Sequence, residues 1–489
     1  MPKPSSENLY LLIKSLTKEE KRNFKLYINR YAESDSGLYV KVFDAIEKAD
    51  NNNESAIIRQ LNIRHFNKLK SRLYIEILDC LAFYNRNETV QFTIRTLITQ
   101  SDILRKKTLL KQADELLRRA EKLAVKFDFS LLHVLILQKR FYYLQFNATK
   151  KKAPVVVNSV IGQINTSLVK QGRRTEFMKT SAEIDNYIRF SMDNEKMKEF
   201  LQAKIRAMEK MSVKEMGFQE KSFLYESLFL FYSKTGNLQK AYEYMKLCLL
   251  LHLDNPHIIN EYPAEFISGA AGNYLYLCIE LHKWNDFLKM HKLISSLNYS
   301  TGQSRERYLY IIDAHLIEYY IIRSEFKKAI ARIKELEKVG LKSPSYEMIW
   351  SALTFYFKCG YVFFLSGDSL HTRLWLNKIL VNKQFLNENL YLLTRVLLLI
   401  NAFEIKDFRY FDKNVQPLLK ELKLKKTFTN ELNVIESLSS FYKRNGQVWR
   451  RTHLTEELKK IKQLSDERAE VGSYYNLGSW IKERTLRMI

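Results

Sequence analysis

The sequence predicts an all-α protein, and three observations lead to that prediction. The chain of 489 residues has only 14 glycines and 7 prolines, about a third of the roughly 7% and 5% that proteins use on average. Its apolar residues recur at three- and four-residue spacing, as in amphipathic helices. Residues 222–251 read as two such helices joined by a tight turn. Because sheet proteins need many more turn-forming residues, an antiparallel β-fold is excluded.

The hairpin at residues 222–251 carries the clearest periodic pattern. Its first helix is expected to bury Leu224, Leu228, Phe231 and Tyr232, and its second Leu238, Ala241, Tyr242, Met245 and Leu249. Gly236 and Asn237 lie between the two helices, and both residue types tolerate the left-handed backbone that ends a helix. The pattern therefore predicts a turn over residues 234–237.

Residues 1–100 are predicted to form a separate helical region. Thr17 and Glu20 have the spacing of a capping box, which would start a helix that runs towards Tyr31. Further along, a short helix over Glu54–Leu61 is followed by a turn and by a long helix from His65 to Tyr84. This arrangement weakly resembles a helix-turn-helix.

A basic stripe lies at the start of that long helix. Arg64, Lys68 and Arg72 are four residues apart, so they share one helix face. In a helix-turn-helix these residues would stand where the recognition helix begins, with Asn67 as the amide that could contact an adenine. A solvated helix face would have the same pattern, and both interpretations stay open at this point.

Residues 101–453 are predicted to be an array of helix hairpins. The first apolar residues of the second helices recur at intervals of 46, 42, 44, 38 and 40 residues, at Leu238, Trp284, Phe326, Leu370, Phe408 and Val448. Units of about forty residues are typical of helical solenoids. A helix break is expected at 171–174, and residues 454–489 are expected to form terminal capping helices.

The hairpin resembles a tetratricopeptide repeat. Its large residues Tyr225, Leu228 and Tyr232, its Gly236-Asn237 turn, its small Ala241 and its large Met245 match that motif, whereas Phe229 and Cys248 replace small residues. The later unit that begins at Phe326 keeps only Ala329. The resemblance implies an α-α superhelical solenoid of tetratricopeptide-like hairpins, which would bind segments of other proteins on its concave face. It implies no particular ligand.

No motif for catalysis, metal or cofactor binding stands out. The nine histidines lack metal-ligand spacing, and neither a GxGxxG nor a GxxxxGK[ST] loop occurs. The four cysteines, Cys80, Cys248, Cys278 and Cys359, lie in apolar runs and are expected to be reduced core residues. The small residues at 268–272 are expected to allow close helix packing. We therefore predict a non-enzyme without a cofactor.

Charge and hydropathy bear on location and partners. The formal net charge is +25 and is spread along most of the chain, which favours a generally basic surface over a confined nucleic-acid footprint. The N-terminus lacks a signal-peptide pattern. The best membrane-span candidate, Tyr391–Phe403, is too short and contains Arg395. We expect a cytoplasmic protein without a membrane span.

The sequence favours a helical-repeat scaffold that binds a protein or peptide partner, possibly an acidic one. Candidate contact residues are aromatics that adjoin loops or basic runs, namely Tyr299, Tyr308, Tyr346 and Trp449. The alternative is a cytoplasmic transcriptional regulator. In that hypothesis the region 1–100 binds DNA through Arg64, Lys68 and Arg72, and the repeats sense a partner.

Overall fold

The computed structural model describes residues 7–31, 36–49, 53–147, 153–190, 194–297, 302–339, 344–382, 388–425, 428–445 and 475. Within these residues the regular secondary structure is helical throughout, which confirms the predicted all-α class. The chain divides into two compact units, residues 1–173 and 174–489. The predicted boundary at residue 100 falls inside a helix and stays a prediction.

The first unit contains eight helices and the first part of a ninth. They are α1 (Asn8–Ser15), α2 (Lys18–Tyr31), α3 (Ser36–Lys48), α4 (Glu54–Leu61), α5 (Phe66–Tyr84), α6 (Val90–Lys106), α7 (Leu110–Lys126), α8 (Ser130–Asn147) and α9 (Ala153–Phe190).

Helices α1–α5 enclose one apolar core. Phe24 and Phe43 stack with ring centroids 4.9 Å apart at its centre, and Leu73 and Ile77 of α5 are fully buried against the same core. The predicted capping box at the start of α2 is confirmed. The Thr17 backbone N–H donates to Glu20 at 2.7 Å, and the Glu20 N–H donates to the Thr17 hydroxyl at 3.2 Å.

Helix α9 overturns the predicted break at residues 171–174. It continues without interruption for 38 residues, and its residues fall in both units. Gly172 lies in the segment where the break is expected, but a single glycine weakens a helix by only about 1 kcal/mol relative to alanine. A Cβ built on Gly172 would meet no atom within 4 Å. The residues on both sides of Gly172 are helical, and the helix continues across the glycine.

The second unit contains the rest of α9 and fifteen further helices. They are α10 (Glu195–Glu209), α11 (Phe218–Lys234), α12 (Leu238–Leu253), α13 (Pro256–Glu261), α14 (Pro263–Phe266), α15 (Gly272–Glu280), α16 (Trp284–Ser295), α17 (Gly302–Arg307), α18 (Ala314–Ile322), α19 (Phe326–Val339), α20 (Ile349–Ser366), α21 (Ser369–Leu380), α22 (Glu388–Glu404), α23 (Phe408–Lys423) and α24 (Thr429–Asn445).

Most of these helices pack as sequential antiparallel pairs, such as α11–α12 and α20–α21. The predicted starts of the second helices agree with the structure to within one residue at Leu238, Trp284, Phe326, Leu370 and Phe408. Val448 lies outside the described residues. At three of these starts the preceding residue caps the helix, because Asn237, Asp368 and Asp407 each accept a hydrogen bond from a first-turn N–H.

A common backbone turn joins the members of several of these pairs. In the described turns between α15–α16, α18–α19 and α22–α23, a residue with positive φ stands two positions before the second helix: His282, Ser324 and Lys406. The next N–H then donates to the carbonyl five residues earlier, which is the longer bond of a Schellman motif. Gly236 and Gly367 take the same place with φ of +84° and +83°.

Helix α20 is the most deeply buried element of the second unit. The segment Tyr346–Ser366 is long and apolar enough to cross a membrane, but 83% of its most apolar window is buried inside the protein. Its composition is therefore explained by packing, since a core helix surrounded by other helices is apolar on all sides. Tyr475 packs against the same helix, with its ring 5.3 Å from that of Tyr361 and 5.9 Å from that of Phe357.

Two short π-helical segments, Ile267–Ala271 and Tyr308–Asp313, lie against each other in the second unit. Gly272, which follows the first segment, explains how they approach. A Cβ on Gly272 would come within 2.8 Å of both the Ile267 carbonyl oxygen and the Ile311 side chain. The small-residue cluster at 268–272 therefore serves close packing, as predicted.

Candidate functional site

Lys68 and Arg72 of the basic stripe lie in α5, whereas Arg64 lies in the turn before it, so the prediction that all three share one helix is wrong for Arg64. The local sequence explains why the stripe points outwards. Asn53 caps α4, and Asn62 ends α4 with a left-handed backbone at φ 47°. The chain then enters α5, where Phe66 and Leu73 anchor one face in the core of the first unit. Residues on the opposite face of the helix must therefore lie at the surface.

Arg64, Lys68 and Arg72 are all exposed. None of the three makes an ion pair with the residues that the structure describes. Elsewhere in this unit lysines are neutralised: Lys25, for example, lies 2.7 Å from Asp44, and its pKa is raised by that hydrogen bond. The stripe thus presents three cations that no described carboxylate pairs with, and this favours contact with a polyanion.

The four aromatic candidates do not form one site. Tyr346 is 80% exposed. Tyr308 is half-buried in the second π-helical segment, and its hydroxyl lies 2.6 Å from the Ser295 Oγ. Tyr299 and Trp449 lie outside the described residues. Of the two candidates that the structure describes, Tyr346 is the one that lies at a surface where a partner could reach it.

Sequence reasoning missed Trp350, which is 51% exposed one helical turn after Tyr346. It was missed because α20 is apolar on all sides, so its periodicity does not mark an outer face. Arg307 adjoins this pair: its guanidinium donates to Glu347 at 2.9 Å and to the Ser268 hydroxyl at 2.7 Å. We name Tyr346, Trp350 and Arg307 the aromatic surface.

No family model, curated protein or solved structure matches this chain. The packed helix pairs are consistent with a helical-repeat protein, and the tetratricopeptide resemblance stays a resemblance. The functional assignment consequently rests on the geometry of the sites themselves.

A cavity in the first unit was not predicted. It has a volume of about 350 Å³ and lies between the α7–α8 turn and the middle of α9. Its polar lining residues include Asp128, Ser130, His133, Ser167 and Lys170. These residues are spread over more than forty positions and form no motif. Only the folding of α9 beside α7 and α8 brings them together.

A polar network holds the wall of this cavity. The His133 Nδ1 lies 2.9 Å from the Ser167 Oγ, which joins α8 to α9. The His133 Nε2 lies 3.8 Å from Glu121 of α7, longer than a hydrogen bond. Arg140 contacts Glu121 and donates to the buried Asp114 at 2.8 Å. His133 and the positive charge of Arg140 lower the pKa of Glu121.

This network differs from a catalytic triad. In a triad, a carboxylate orients the histidine through a direct hydrogen bond while the second ring nitrogen contacts the nucleophile. Here Glu121 is too far from His133 for that bond and is held by Arg140. The arrangement is suited to connecting α7, α8 and α9 and to fixing polar groups at the cavity wall.

The second unit buries a separate group of charges. Lys358 and Glu318, both almost fully buried, lie 2.7 Å apart, and Asp313 accepts hydrogen bonds from Arg332. Burial opposes ionisation of Glu318, but the Lys358 ammonium and His315 outweigh it and lower its pKa to about 2. Breaking such a buried pair destabilises a protein strongly, so these charges bind neighbouring helices together.

The cysteines offer no reactive thiol. All four are buried and unpaired, and burial raises the pKa of each, that of Cys278 to about 12. A thiol at such a pKa stays protonated and is a poor nucleophile or metal ligand. Among the described residues, no group of three or more His, Cys, Asp and Glu could hold a metal ion.

Proposed function

We propose that the protein is a non-enzymatic cytoplasmic scaffold whose second unit, a tetratricopeptide-like solenoid, binds a segment of a partner protein at the aromatic surface. The observation that carries this proposal is the exposure of Tyr346 and Trp350, at 80% and 51%, on neighbouring turns. Aromatic side chains beside arginine are the commonest centres of binding energy in protein interfaces.

The net charge of the chain, +25, favours an acidic partner segment. At the aromatic surface itself, Arg305 and Arg307 are accompanied by Glu306 and Glu347. An acidic segment would be drawn to the basic protein by long-range attraction, and its aromatic contacts would then fix the register. The packed hairpins below supply a rigid support, which lowers the entropic cost of binding.

Selection from a displayed peptide library tests this proposal. We expect the full-length protein to enrich acidic peptides that contain an aromatic or aliphatic anchor. The double variant Tyr346→Ala/Trp350→Ala should weaken binding of the selected peptides by about tenfold or more in fluorescence polarisation. Leu370→Ala is the matched control, because Leu370 is 74% exposed elsewhere on the same unit. Equal losses in both variants would contradict the assignment of the site.

A second candidate function is favoured by the exposed and unpaired stripe at the start of α5. In this proposal Arg64, Lys68 and Arg72 contact the phosphates of a duplex, and the protein acts as a regulator that senses a partner through its second unit. The supporting geometry is the α4–turn–α5 arrangement, with α5 fixed in the core and its basic face at the surface.

Salt-dependent binding of a labelled duplex tests the second candidate. The triple variant Arg64→Glu/Lys68→Glu/Arg72→Glu should weaken binding and lower the slope of log K against log salt by about 2–3, one phosphate contact for each cation. The control Arg105→Glu/Lys106→Glu/Lys111→Glu makes the same charge change at exposed residues of the same unit. If both triple variants lose binding equally, the general basic charge is responsible and the stripe is not a site.

A further inference from the structure

We propose that the cavity between the α7–α8 turn and α9 binds a small zwitterionic molecule of the α-amino acid type. Its volume of about 350 Å³ is at the lower end of ligand sites, which span roughly 300–1,000 Å³. The site lies in the first unit and is independent of the aromatic surface.

Two opposite charges stand at the cavity on different elements. The Lys170 Nζ on α9 lies 3.5 Å from the Asp128 Oδ1 in the α7–α8 turn, and the two side chains are 27% and 14% exposed. This distance is that of an ion pair and is longer than a usual hydrogen bond. A ligand that brings a carboxylate to Lys170 and an ammonium to Asp128 can form an ion pair with each side chain, so that neither charge of this pair is left uncompensated.

Buried hydroxyls complete the polar lining. Ser130 and Ser167 are only 4% and 5% exposed, and both line the cavity. Ser167 already contacts His133, whereas the Ser130 hydroxyl has no hydrogen-bond partner among the described residues. A bound polar molecule can form a hydrogen bond with this hydroxyl, which is both a donor and an acceptor.

The backbone holds Asp128 in place. It has a φ of 56°, and the following N–H, of Phe129, donates to the Ala124 carbonyl at 2.8 Å. The turn is thus a Schellman motif that fixes the carboxylate relative to α7. Lys170 is held by the continuous helix α9 on the other side. Both charges are therefore positioned before a ligand arrives, which favours binding.

The charge pattern distinguishes this ligand class from others. A phosphate dianion would meet Asp128 beside Lys170, so its attraction to the lysine would be offset by repulsion. An apolar molecule would remove water from both charged groups without replacing it, which is strongly unfavourable. A zwitterion matches both charges, and the apolar residues Ala124 and Phe129 at the cavity wall suit a short aliphatic side chain.

Isothermal titration of the full-length protein with the standard amino acids tests the proposal. We expect saturable binding of at least one amino acid at concentrations up to about 10 mM. The corresponding amine, which lacks the carboxylate, and the N-acetyl derivative, which lacks the ammonium, should each bind about tenfold more weakly or not at all. If no amino acid binds, or if the amine and the N-acetyl derivative bind equally well, the proposal is overturned.

Two variants locate the site. Lys170→Gln and Asp128→Asn should each reduce the affinity for the bound amino acid by about tenfold or more. Asparagine tolerates the positive φ of residue 128, so Asp128→Asn is expected to fold. Lys122→Gln is the control, since Lys122 is exposed on α7 and does not line the cavity. Affinities unchanged in both variants would overturn the assignment. So would phosphate binding that is lost in Lys170→Gln and strengthened in Asp128→Asn, which would indicate an anion site.

Discussion

His291 shows how burial acts on one side chain. Its ring stacks on Phe287 with centroids 6.0 Å apart, and its Nε2 is buried without a hydrogen-bond partner in the described structure. Burial, reinforced by the positive charges of Arg332 and His315, lowers the pKa of His291 to about 4 from 6.5. The unfolded chain therefore binds a proton at pH values where the folded protein does not.

The first prediction concerns pH and stability. The pKa of His291 is lower in the folded protein than in the unfolded chain. The folded state is therefore destabilised as the pH falls from 6.5 towards about 4, and above pH 6.5 this loss of stability is absent. Asp313 acts in the opposite direction, since burial raises its pKa to about 6. We expect His291→Gln to flatten the decline in the free energy of unfolding between pH 7 and 4, measured by urea titration.

The exposed His65 supplies the control for this prediction. His65→Gln should leave the pH dependence of unfolding as it is in the parent protein. An unaltered decline in His291→Gln would show that other groups determine the acid sensitivity.

At the residue scale, the sequence predicts local interactions better than distant ones. The Thr17–Glu20 capping box was predictable because its partners are three residues apart and satisfy N–H groups that every helix start leaves open. The Lys170–Asp128 pair was not predictable, because it depends on the packing of α9 beside the α7–α8 turn. Tyr346 was predicted as a candidate from its neighbouring loop, whereas its neighbour Trp350 was hidden by the uniform apolarity of α20.

The turns between paired helices share one backbone conformation although their sequences differ. Glycine occupies the positive-φ position at 236 and 367, whereas Ser324, His282 and Lys406 occupy it elsewhere. Glycine therefore marks the turn in the hairpins with Gly236 and Gly367 and does not mark it at Ser324, His282 and Lys406. The starts of the second helices were nevertheless predictable, since the apolar spacing of α12, α16, α19 and α23 begins at their first residues.

The second prediction tests the strain in these turns. A left-handed backbone costs a non-glycine residue about 1–2 kcal/mol, so Gly236→Ala should destabilise the protein by about 1 kcal/mol. No atom lies within 4 Å of the Cβ position at Gly236, so the loss would come from the backbone. The reciprocal change Ser324→Gly should stabilise the protein by up to about 1 kcal/mol, since the gain from strain is partly offset by chain entropy.

Urea unfolding midpoints of both variants measure this effect. Shifts of opposite sign are expected. Shifts in the same direction would indicate that side-chain contacts, and not the backbone conformation, determine the stability of these turns.

Some elements had no sequence signal. A π-helical segment contains about one residue more per turn than the α-helix around it, and periodicity over short windows cannot detect that difference. The sequence therefore does not predict the π-helical form of Ile267–Ala271 and Tyr308–Asp313. At Gly172 the sequence indicates a feature that the structure lacks. The local composition predicts a helix break, whereas α9 continues through this residue.

At the scale of the whole molecule, each unit has its own apolar core. In the second unit, one cluster extends from α9 to α18 and another from the second π-helical segment to Tyr475, with Ile311, Tyr320 and Ile322 packed against both. The core is thus continuous along successive hairpins. A core shared between hairpins is consistent with a helical-repeat fold, because one hairpin cannot cover its own apolar face.

The third prediction follows from that continuity. Ala241 is fully buried between α11 and α12, so Ala241→Trp should overpack the hairpin and cost about 1–3 kcal/mol. Hydrogen exchange should increase in α11 and α12 and, more weakly, in the neighbouring helices α15 and α16. Helices α22 and α23, which belong to the other cluster, should change least.

Lys234→Gln is the control for the third prediction, since Lys234 is exposed at the end of α11. Such a surface change usually alters stability by less than about 0.5 kcal/mol. Uniform exchange across all helices of the second unit would show that the unit opens as a whole, and unchanged exchange at α11–α12 would refute the close packing at Ala241.

The position of Tyr475 has a consequence for synthesis of the protein. Its ring fills a place beside Tyr361 and Phe357, yet the ribosome makes it long after them. At about 5–20 residues per second, the delay is on the order of ten seconds. Throughout that interval the aromatic side of α20 lacks its last neighbour and exposes apolar surface that a chaperone could bind. A nascent chain stalled between residues 361 and 475 would therefore keep this part of α20 exposed and prone to aggregation.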